Sequence, residues 1–205
     1  MSILVVGSVA LDTVETPSGF RKDLLGGSAT YFSISASFFS PVNLVAVVGR
    51  DFSLEYIELL KKRKINLNGL EIKDGETFRW CAKYDTDLNN VKTISTKLNV
   101  FSDFRPNIPE DYRLSDYVFL ANIDPQLQEF VLEKVKRPKL IASDTMSHWI
   151  IEKKKPLVNL LKKIDIFFLN ETEARLFSEE NNLYKAAKSI LKFGPKNVII
   201  KKGEN

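Results

Sequence analysis

One aspartate and one pair of glycines near the start of the chain are residue types that suit a small hydroxylated ligand. Asp12 follows the first apolar run, and Gly26 and Gly27 open the stretch GGSATYFSISASFF at residues 26–39. A carboxylate accepts hydrogen bonds from two hydroxyls, and glycine lets another molecule approach the main chain closely. These residues, together with Ser28, predict a binding site for a polyol.

The same residues also have a purely structural explanation. Asp12 could cap a turn, and Ser28 or Thr30 could be the N-cap of a helix that begins at the glycines. The residue types alone leave the ligand site and the capped turn both open.

A second candidate site is NETE at residues 170–173. Asn170 and Glu173 are three residues apart and share one helix face, so an amide and a carboxylate could together hold a hydrated magnesium ion and its phosphates. The pair also fits a capping box, with Asn170 as N-cap and Glu173 at the third helical position. Both explanations remain open at this level.

Other reactive residue types give weaker indications. Gly203, in the final VIIKKGEN, would let a purine or a phosphate approach the backbone, although an ordinary turn explains it equally well. His148 and Cys81 have no partner motif for nucleophilic catalysis and no zinc-ligand spacing, so we expect them to be packing or surface residues. Gly7 stands alone after the first apolar run, and the absence of G-x-G-x-x-G disfavours a dinucleotide-dependent oxidoreductase.

These candidates fall within an alternating pattern of strands and helices. Nearly continuous apolar runs predict strands buried on both faces at 3–6, 43–49, 117–122, 139–143, 165–170 and 197–201. Helical patterns lie between them at 53–64, 126–135 and 183–194. The alternation predicts an α/β fold with a mostly parallel central sheet and helices on both faces. Ligands bind such sheets outside the carboxyl ends of the strands. Four polar or glycine residues fall at those ends: Gly7, Asn122, Asp144 and Asn170.

Two segments interrupt this alternation, at about 12–25 and 75–100. The first contains a Pro-Ser-Gly turn, and the second alternates Phe78, Trp80, Ala82 and Tyr84 with polar residues before a DLNN turn. We expect them to form a small antiparallel sheet that serves as a lid over the ligand edge.

The overall composition limits the class of protein. With 205 residues, of which 44% are hydrophobic, the chain can form one globular core. The net charge of +4 comes mainly from lysines scattered over helix faces, so nucleic acid is not an expected partner. We find no signal peptide or membrane segment, and one cysteine fits a reducing cytoplasm. We therefore expect a cytoplasmic protein that binds no membrane.

Taken in order, the pieces resemble the ribokinase-like PfkB family of carbohydrate and nucleoside kinases. The resemblance covers all 205 residues. The segments that carry it are GSVALD at 7–12, GGSATYFSISASFF at 26–39, VNLVAVVGRDF at 42–52, TFRWCAKYDTDLN at 77–89, DTM at 144–146, NETE at 170–173 and VIIKKGE at 198–204. It implies a β lid and transfer of the γ-phosphoryl of ATP, with Mg²⁺, to a hydroxyl of a sugar or nucleoside.

The resemblance also implies roles for the candidate residues. Residues matching Asp12, Gly26 and Gly27 bind the acceptor in such kinases. We expect the acceptor to be bound by Asp12, Gly26, Gly27, Ser28, Tyr31, Asn122 and Asp144. We expect ATP and its phosphates to be bound by Asn170, Glu173, Lys201 and Gly203, with Glu173 serving Mg²⁺ through water.

This sequence departs from the family pattern in two places. Where the family often has an asparagine shortly after the glycine pair, this chain has Tyr31, on which a nucleoside could stack. The G-A-G-D signature, which carries the general base and the anion hole, does not occur in the 205 residues. We therefore expect no catalytic base within these residues and little transfer activity from them alone. The alternative is a non-catalytic module that binds a sugar or nucleoside.

The predicted lid also suggests how the protein associates. A two-stranded ribbon is marginally stable by itself, and an exposed apolar sheet face favours association. We expect a homodimer made lid to lid, with Trp80 or Tyr84 near the contact or over the acceptor.

Overall fold

The fold was analysed in a computed structural model, which describes residues 1–86 and 91–203. The strands are β1 Ile3–Val6, β2 Ala10–Thr16, β3 Gly19–Gly26, β4 Val42–Gly49, β5 Ile65–Lys73, β6 Arg79–Tyr84, β7 Val91–Lys97, β8 Tyr117–Leu120, β9 Leu140–Asp144, β10 Ile166–Asn170 and β11 Asn197–Lys201. The α-helices are α1 Ser28–Ala36, α2 Leu54–Lys62, α3 Pro125–Lys134, α4 Ser147–Glu152, α5 Lys154–Leu161, α6 Glu171–Ser178 and α7 Leu183–Leu191. Two 3-10 helices lie at Asn99–Asp103 and Glu110–Leu114.

The larger sheet confirms the predicted α/β class. It has seven strands in the order β11-β10-β9-β8-β1-β4-β5. The pairs β10/β11, β9/β10, β8/β9 and β4/β5 are parallel. Each of the six predicted apolar runs forms a strand of this sheet, and the three predicted helical patterns form α2, α3 and α7.

Local capping explains where several of these helices begin. Ser53 accepts a hydrogen bond from the Glu55 amide at the start of α2, and Asp124 does the same for Gln126 before α3. Such caps satisfy amides that have no partner within the helix. The helices are short, at most ten residues. Among the described residues, none has the length and apolar character required to cross a bilayer.

Two details of the larger sheet differ from the prediction. We expected residues 197–201 to form a strand buried on both faces, but β11 lies at one end of the described sheet and alternates exposed with half-buried residues. The other end is β5, which we did not predict because its sequence INLNGLEIK mixes polar with apolar residues. Such mixing is typical of an edge strand, which has solvent on one side.

The smaller sheet has four strands in the order β3-β2-β6-β7. The hairpin pairs β2/β3 and β6/β7 are antiparallel, as predicted, but β2 pairs with β6 in parallel. The sheet is therefore mixed, because two separate hairpins join through strands that run in the same direction. The predicted DLNN turn, residues 87–90, lies outside the described residues.

The chain divides into two compact units. The N-terminal unit is Val5–Pro109, and the C-terminal unit is Met1–Leu4 with Glu110–Asn205. The core of the N-terminal unit includes Leu44, Val47 and Leu60, and that of the C-terminal unit includes Leu157 and Phe167, all fully buried.

Candidate functional site

In the N-terminal unit, Asp12 lies in the middle of the smaller sheet. It is the register partner of Leu24 on β3 and of Trp80 on β6, so the three side chains point to the same face. Burial raises the pKa of the Asp12 carboxyl to about 6. No hydrogen bond from the described residues reaches this carboxylate. A half-buried carboxylate that no protein donor occupies is suited to receive the hydroxyls of a ligand.

A side chain at Gly26 or at Gly27 would collide with neighbouring atoms, for a different reason at each position. A Cβ on Gly26 would collide with the Asp12 carboxylate. Gly27 has φ +92°, and a Cβ there would collide with the carbonyl oxygen of Ser8. Gly26 therefore makes room for a side chain, whereas Gly27 makes a turn against backbone.

Ser8, which we did not predict, holds the start of α1. Its hydroxyl accepts a hydrogen bond from the Ser28 amide at 3.2 Å, and its carbonyl accepts one from the Ala29 amide at 3.1 Å. The N-cap residue itself is Gly27, so the structural alternative with Ser28 or Thr30 as N-cap is wrong, because Ser8 from the end of β1 provides the cap. Asp12 lies within β2 and caps no turn.

Thr30 has a separate role at the same turn. Its hydroxyl donates to the Gly26 carbonyl at 2.7 Å and is fully buried. Thr30 thus fixes the carbonyl of the residue that faces Asp12, which adds to the rigidity of the turn.

One exposed tyrosine lies within the electrostatic reach of Asp12. Tyr31, in the first turn of α1, is 62% exposed. Partial burial raises the pKa of the Tyr31 hydroxyl, and the charges of Asp12 and Tyr84 raise it further. The action of the Asp12 charge on the Tyr31 hydroxyl associates this ring with the carboxylate. The structure therefore brings together Asp12, Gly26, Gly27, Ser28 and Tyr31, which we predicted at one site.

In the C-terminal unit, Asn170 and Glu173 form the capping box that was one of their two explanations. The Asn170 side chain accepts from the Glu173 amide at 2.8 Å, and Glu173 Oε2 accepts from the Asn170 amide at 2.7 Å. Burial raises the pKa of the Glu173 carboxyl, although the Asn170 amide and the charge of Lys201 oppose the rise. A cap does not require a buried carboxylate, and a carboxyl whose pKa is raised by burial is a candidate for a functional role.

Asp144, at the end of β9, belongs to the same group of charges. Burial raises the pKa of its carboxyl to about 7, with Lys201 lowering it and Glu173 raising it. Asp144 Oδ1 and the hydroxyl of the next residue, Thr145, are buried without a hydrogen-bond partner among the described residues. The structure thus groups Asp144 with residues that we expected to bind phosphate, and its unpartnered oxygens indicate a place for a ligand or water.

Asn122, expected to bind the acceptor, is engaged in contacts within the protein. Its side-chain oxygen accepts from the Trp149 indole at 2.9 Å, and its amide nitrogen contacts the Met146 sulfur at 3.2 Å. His148 is exposed and packs edge-on against Trp149. Gly203 lies in an exposed turn with φ 65°.

Gln128 is a second residue that sequence reasoning missed. It is buried on α3, and its amide lies 3.0 to 3.2 Å from the carbonyl oxygens of Leu120, Ala121 and Asp144. Gln128 therefore ties the carboxyl end of β8 to that of β9 and fixes the backbone at Asp144. Nothing in the local pattern of α3 indicated this role, because its partners come from two other elements.

The residues present suit a metal ion that keeps much of its hydration. Among the described residues, no group of three or more His, Cys, Asp and Glu side chains could hold a metal. Magnesium does not require such a group, since it keeps several waters and binds one or two carboxylates together with substrate phosphates. Glu173 and Asp144, with its unpartnered oxygen, fit that manner of binding.

Comparison with known proteins finds kinases of similar sequence and fold. A cytidine kinase of Thermococcus kodakarensis is 26% identical over 207 residues, which cover 100% of this chain and 74% of that protein. A nucleoside kinase of Methanocaldococcus jannaschii, an archaeal member of the ribokinase family, has a similar structure, with a TM-score of 0.75, 21% identity and coverage of 98% of this chain and 70% of that one. A nucleoside kinase of Burkholderia thailandensis, solved with inosine, gives a TM-score of 0.76 at 15% identity, covering 99% and 70%.

The family assignment rests on a match along nearly the whole chain. Residues 2–205 match the pfkB family of carbohydrate kinases. This agrees with the resemblance noted in the order of the sequence segments and with the parallel sheet. The chain belongs to the pfkB carbohydrate kinase family.

Proposed function

We propose that the protein is an ATP-dependent kinase whose phosphoryl acceptor is a nucleoside. The observation that carries this proposal is the Asp12 carboxylate, which receives no hydrogen bond from the described residues and whose charge acts on the exposed Tyr31. A carboxylate binds the adjacent hydroxyls of a ribose, and an aromatic ring offers a stacking surface to a base. The cytidine kinase, to which the chain is 26% identical along its whole length, supports a nucleoside as the acceptor.

The start of α1 favours a neutral acceptor. The first amides of a helix attract anions when they are free, but here Ser8 accepts from both the Ser28 and Ala29 amides. The nearest charge is the Asp12 carboxylate, which repels an anion and attracts hydroxyl donors. A nucleoside therefore suits this site better than a nucleotide or a sugar phosphate.

We assign the nucleotide to residues of the C-terminal unit. Asn170, Glu173, Lys201 and Gly203 are proposed to bind ATP and its phosphates, and Glu173 to bind Mg²⁺ through water. When bound, magnesium would neutralise phosphate charge during transfer. Asp144, expected to bind the acceptor, is better assigned to the same group, because Glu173 and Lys201 act on its charge. Asn122 remains a predicted acceptor contact, although Trp149 already occupies its oxygen.

A thermal-shift panel of nucleosides and free sugars tests the acceptor. A ligand at 100 times its dissociation constant stabilises the fold by about 2.7 kcal/mol, which is a shift of several degrees in Tm for a chain of this size. We expect cytidine, uridine, adenosine or inosine to give such a shift, and ribose and fructose to give none. A shift with the free sugars alone would contradict a nucleoside acceptor.

The alternative function is binding of a sugar or nucleoside without transfer. It follows the expectation, stated for these 205 residues, of little transfer activity. Formation of nucleoside monophosphate from ATP decides between the two functions. The kinase forms it from ATP, whereas the binding module retains the ligand unchanged.

The Glu173→Gln variant tests the proposed magnesium site. Glutamine still accepts the hydrogen bond from the Asn170 amide at 2.7 Å but removes the buried charge. We expect the affinity for ATP in the presence of Mg²⁺ to fall about tenfold, and the free energy of unfolding to change by less than about 0.5 kcal/mol. Isothermal titration with and without Mg²⁺ gives the first quantity, and urea unfolding gives the second.

The matched control is the cap of a neighbouring helix. Asn182 accepts from the Lys185 amide at 3.1 Å at the start of α7 and has no part in the proposed site. Asn182→Ala is expected to lower the free energy of unfolding by about 1 kcal/mol without changing ATP affinity. If Glu173→Gln leaves the affinity for ATP in the presence of Mg²⁺ unchanged, as this control does, Glu173 is a cap and has no role with magnesium.

We further propose a cytoplasmic homodimer that forms through the smaller sheet. All seven residues of β7 are exposed, among them Val91 and Ile94, and Phe20 on β3 is 55% exposed. Exposed apolar side chains on one sheet favour association with a second copy.

Val91→Glu is expected to convert a dimer into a monomer. The control is Phe39→Glu. Phe39 lies outside the sheet and is 85% exposed, compared with 48% for Val91, so its replacement should leave the dimer intact.

Light scattering measures the mass of each variant. A wild-type monomer, or a dimer that survives Val91→Glu, would remove this proposal.

A further inference from the structure

The strand that leads into the glycine pair contains an irregularity at Asp23. The register of β2 with β3 shifts between Asp12 and Val14, so β3 has an extra residue at this point. Asp23 has φ 56°, a left-handed conformation that few non-glycine residues adopt. Bulges of this kind redirect a strand locally and are common beside functional sites. This one lies three residues before Gly26.

Two side chains from outside β3 hold Asp23 in this conformation. The Arg79 guanidinium on β6 binds the Asp23 carboxylate through Nη1. The Tyr56 hydroxyl on α2 donates to the Asp23 carbonyl at 2.7 Å. Side chain and backbone of the bulged residue are therefore fixed separately, by different elements.

The second arm of Arg79 is fixed to the end of β4. Its Nη2 lies 2.6 Å from Asp51 Oδ2, and Asp51 Oδ1 accepts from both the amide and the hydroxyl of Thr77 at 2.7 Å. Thr77 is fully buried, and its hydroxyl also accepts from the Gly49 amide at 3.0 Å. Burial alone would raise the pKa of the Asp51 carboxyl, but Thr77 and Arg79 together hold it below its ordinary value. The carboxylate that binds this side of Arg79, that of Asp51, is therefore itself held in place by Thr77.

Arg79 also lies directly beside the acceptor strand. It is the register partner of Leu11 on β2, next to the pair formed by Asp12 and Trp80. One residue on β6 therefore links β2, the bulge in β3 and the end of β4. Arg50 and Arg175 each pair with one carboxylate, whereas Arg79 pairs with two.

We propose that Arg79 is a positioning residue for the acceptor site, which holds the Asp23 bulge so that Gly26 faces the Asp12 carboxylate. This inference rests on the proposed function, since it takes Asp12 to bind the acceptor. Arg79 does not itself touch the acceptor. It sets the path of residues 24–27 through Asp23, and that path determines how much space the acceptor finds beside Asp12.

An arginine side chain is suited to hold the Asp23 and Asp51 carboxylates together, and a lysine side chain is not. A planar guanidinium binds two carboxylates at once with fixed geometry, whereas a single ammonium group is a compact charge on a flexible stem. Arg79→Lys is therefore expected to restore only part of the effect of the wild-type residue.

Hydrogen exchange in the ligand-free protein tests the position of the bulge directly. In Arg79→Gln we expect the amides of residues 24–28 to exchange at least tenfold faster, with no change in the amides of β4. The control is Arg50→Gln, which removes an ion pair with Asp74 that is far more exposed. Arg50→Gln should leave exchange at residues 24–28 as in the wild type.

Acceptor affinity gives the second readout. With the nucleoside that shifts the wild-type Tm most, we expect Arg79→Gln to raise the dissociation constant at least tenfold and Arg50→Gln to leave it unchanged. Arg79→Lys should give an intermediate value. Tyr56→Phe, which removes only the bond to the Asp23 carbonyl, should change both readouts in the same direction by a smaller factor. This variant keeps the test open if Arg79→Gln does not fold.

The outcomes separate the two proposals. Wild-type exchange at residues 24–28 in both Arg79→Gln and Tyr56→Phe would overturn the positioning role. Faster exchange without any nucleoside or sugar binding to the wild type would keep the role of Arg79 in holding the bulge and remove the acceptor assignment of Asp12. Faster exchange with unchanged affinity would also overturn the positioning role, since the bulge would then have no effect on the acceptor.

Discussion

Asp12→Asn is expected to abolish acceptor binding and, at the same time, to stabilise the fold at neutral pH. The asparagine has the same shape but has one acceptor oxygen in place of two, and it carries no charge to strengthen hydrogen bonds from ligand hydroxyls. We expect the dissociation constant of the best nucleoside to rise at least about 100-fold, since hydrogen bonds to a charged group contribute about 1.5–3 kcal/mol each. Titration calorimetry at pH 7 measures this loss.

The gain in stability follows from the direction of the pKa shift. Burial raises the pKa of Asp12 from 3.8 to about 6 in the folded protein. Between these pH values the folded state binds more protons than the unfolded state, so stability falls as pH rises through this window and stays lower above it. A shift of this size corresponds to at most about 3 kcal/mol, and solvent screening of a half-buried group reduces the expected gain in Asp12→Asn to about 1 kcal/mol.

Urea unfolding of both proteins from pH 4 to pH 8 checks this expectation. The difference in unfolding free energy should grow between pH 4 and pH 6 and remain constant above that. Asp74→Asn is the control, because Asp74 is 85% exposed and lies outside the site. An Asp12→Asn variant that binds as the wild type does would contradict a role for Asp12 in binding. A variant that is less stable at pH 7 would contradict the expected effect of the buried charge.

The main sheet could be predicted because its strands are marked by local residue types. Runs such as ILVV at 3–6 and IFFL at 166–169 are apolar throughout, which only a strand covered on both faces requires. The strand β5 could not be found in this way, since its outer side faces solvent and its sequence alternates less clearly. The parallel pairing of β2 with β6 was also missed, because it depends on how two distant hairpins meet.

The candidate site was predictable where a residue type has few other uses. A double glycine before a helix requires an explanation, and so does an aspartate within an apolar strand. Ser8, Gln128 and Arg79 could not be identified from the sequence, because each acts on backbone or carboxylates far away along the chain. Arg79, for example, lies 56 residues from Asp23. Ser8 had one indication, its position directly after the first strand, where ligands of such sheets gather.

The two explanations of NETE prove compatible. The capping box uses Oε2 of Glu173 for the Asn170 amide, as the sequence spacing predicted. An exposed glutamine or glutamate would satisfy this cap equally well. Glu173 is instead buried, and its charge acts on Asp144, as does the charge of Lys201. The capping box explains the spacing of Asn170 and Glu173. The burial of Glu173 together with a second carboxylate, that of Asp144, favours a role with phosphate and magnesium.

Gly26→Ala and Gly27→Ala are expected to have different effects, although the two residues are adjacent. The first should weaken acceptor binding, and the second should destabilise the fold. Gly27 has φ +92°, and its added Cβ would meet Ser8 and Ala10 backbone atoms, with the Ser8 carbonyl carbon at 2.8 Å and the Ala10 nitrogen at 2.9 Å. Backbone there does not move aside, so Gly27→Ala combines an unfavourable φ with overpacking. We expect it to lower the free energy of unfolding by about 3 kcal/mol or more.

At Gly26 the added Cβ meets the Asp12 carboxylate, which is the end of a side chain, and Gly26 does not have a positive φ. The carboxylate can rotate away, so Gly26→Ala is expected to cost less than about 1 kcal/mol of stability while displacing the group that binds the acceptor. We expect nucleoside affinity to fall about 100-fold, as in Asp12→Asn, because both changes remove the same hydrogen bonds. Urea unfolding and calorimetry on the two alanine variants separate loss of fold from loss of binding.

A double variant tests whether the effect of Gly26→Ala passes through Asp12. Once Asp12 is shortened to alanine, the Cβ at residue 26 has no carboxylate to displace, so Gly26→Ala should change neither stability nor affinity further. Residues in direct contact show such non-additive effects, whereas independent residues add within about 0.5 kcal/mol. If the two changes add in the double variant, the glycine acts on the acceptor independently of Asp12, and the close approach of Gly26 to the carboxylate is not the reason that this position lacks a side chain.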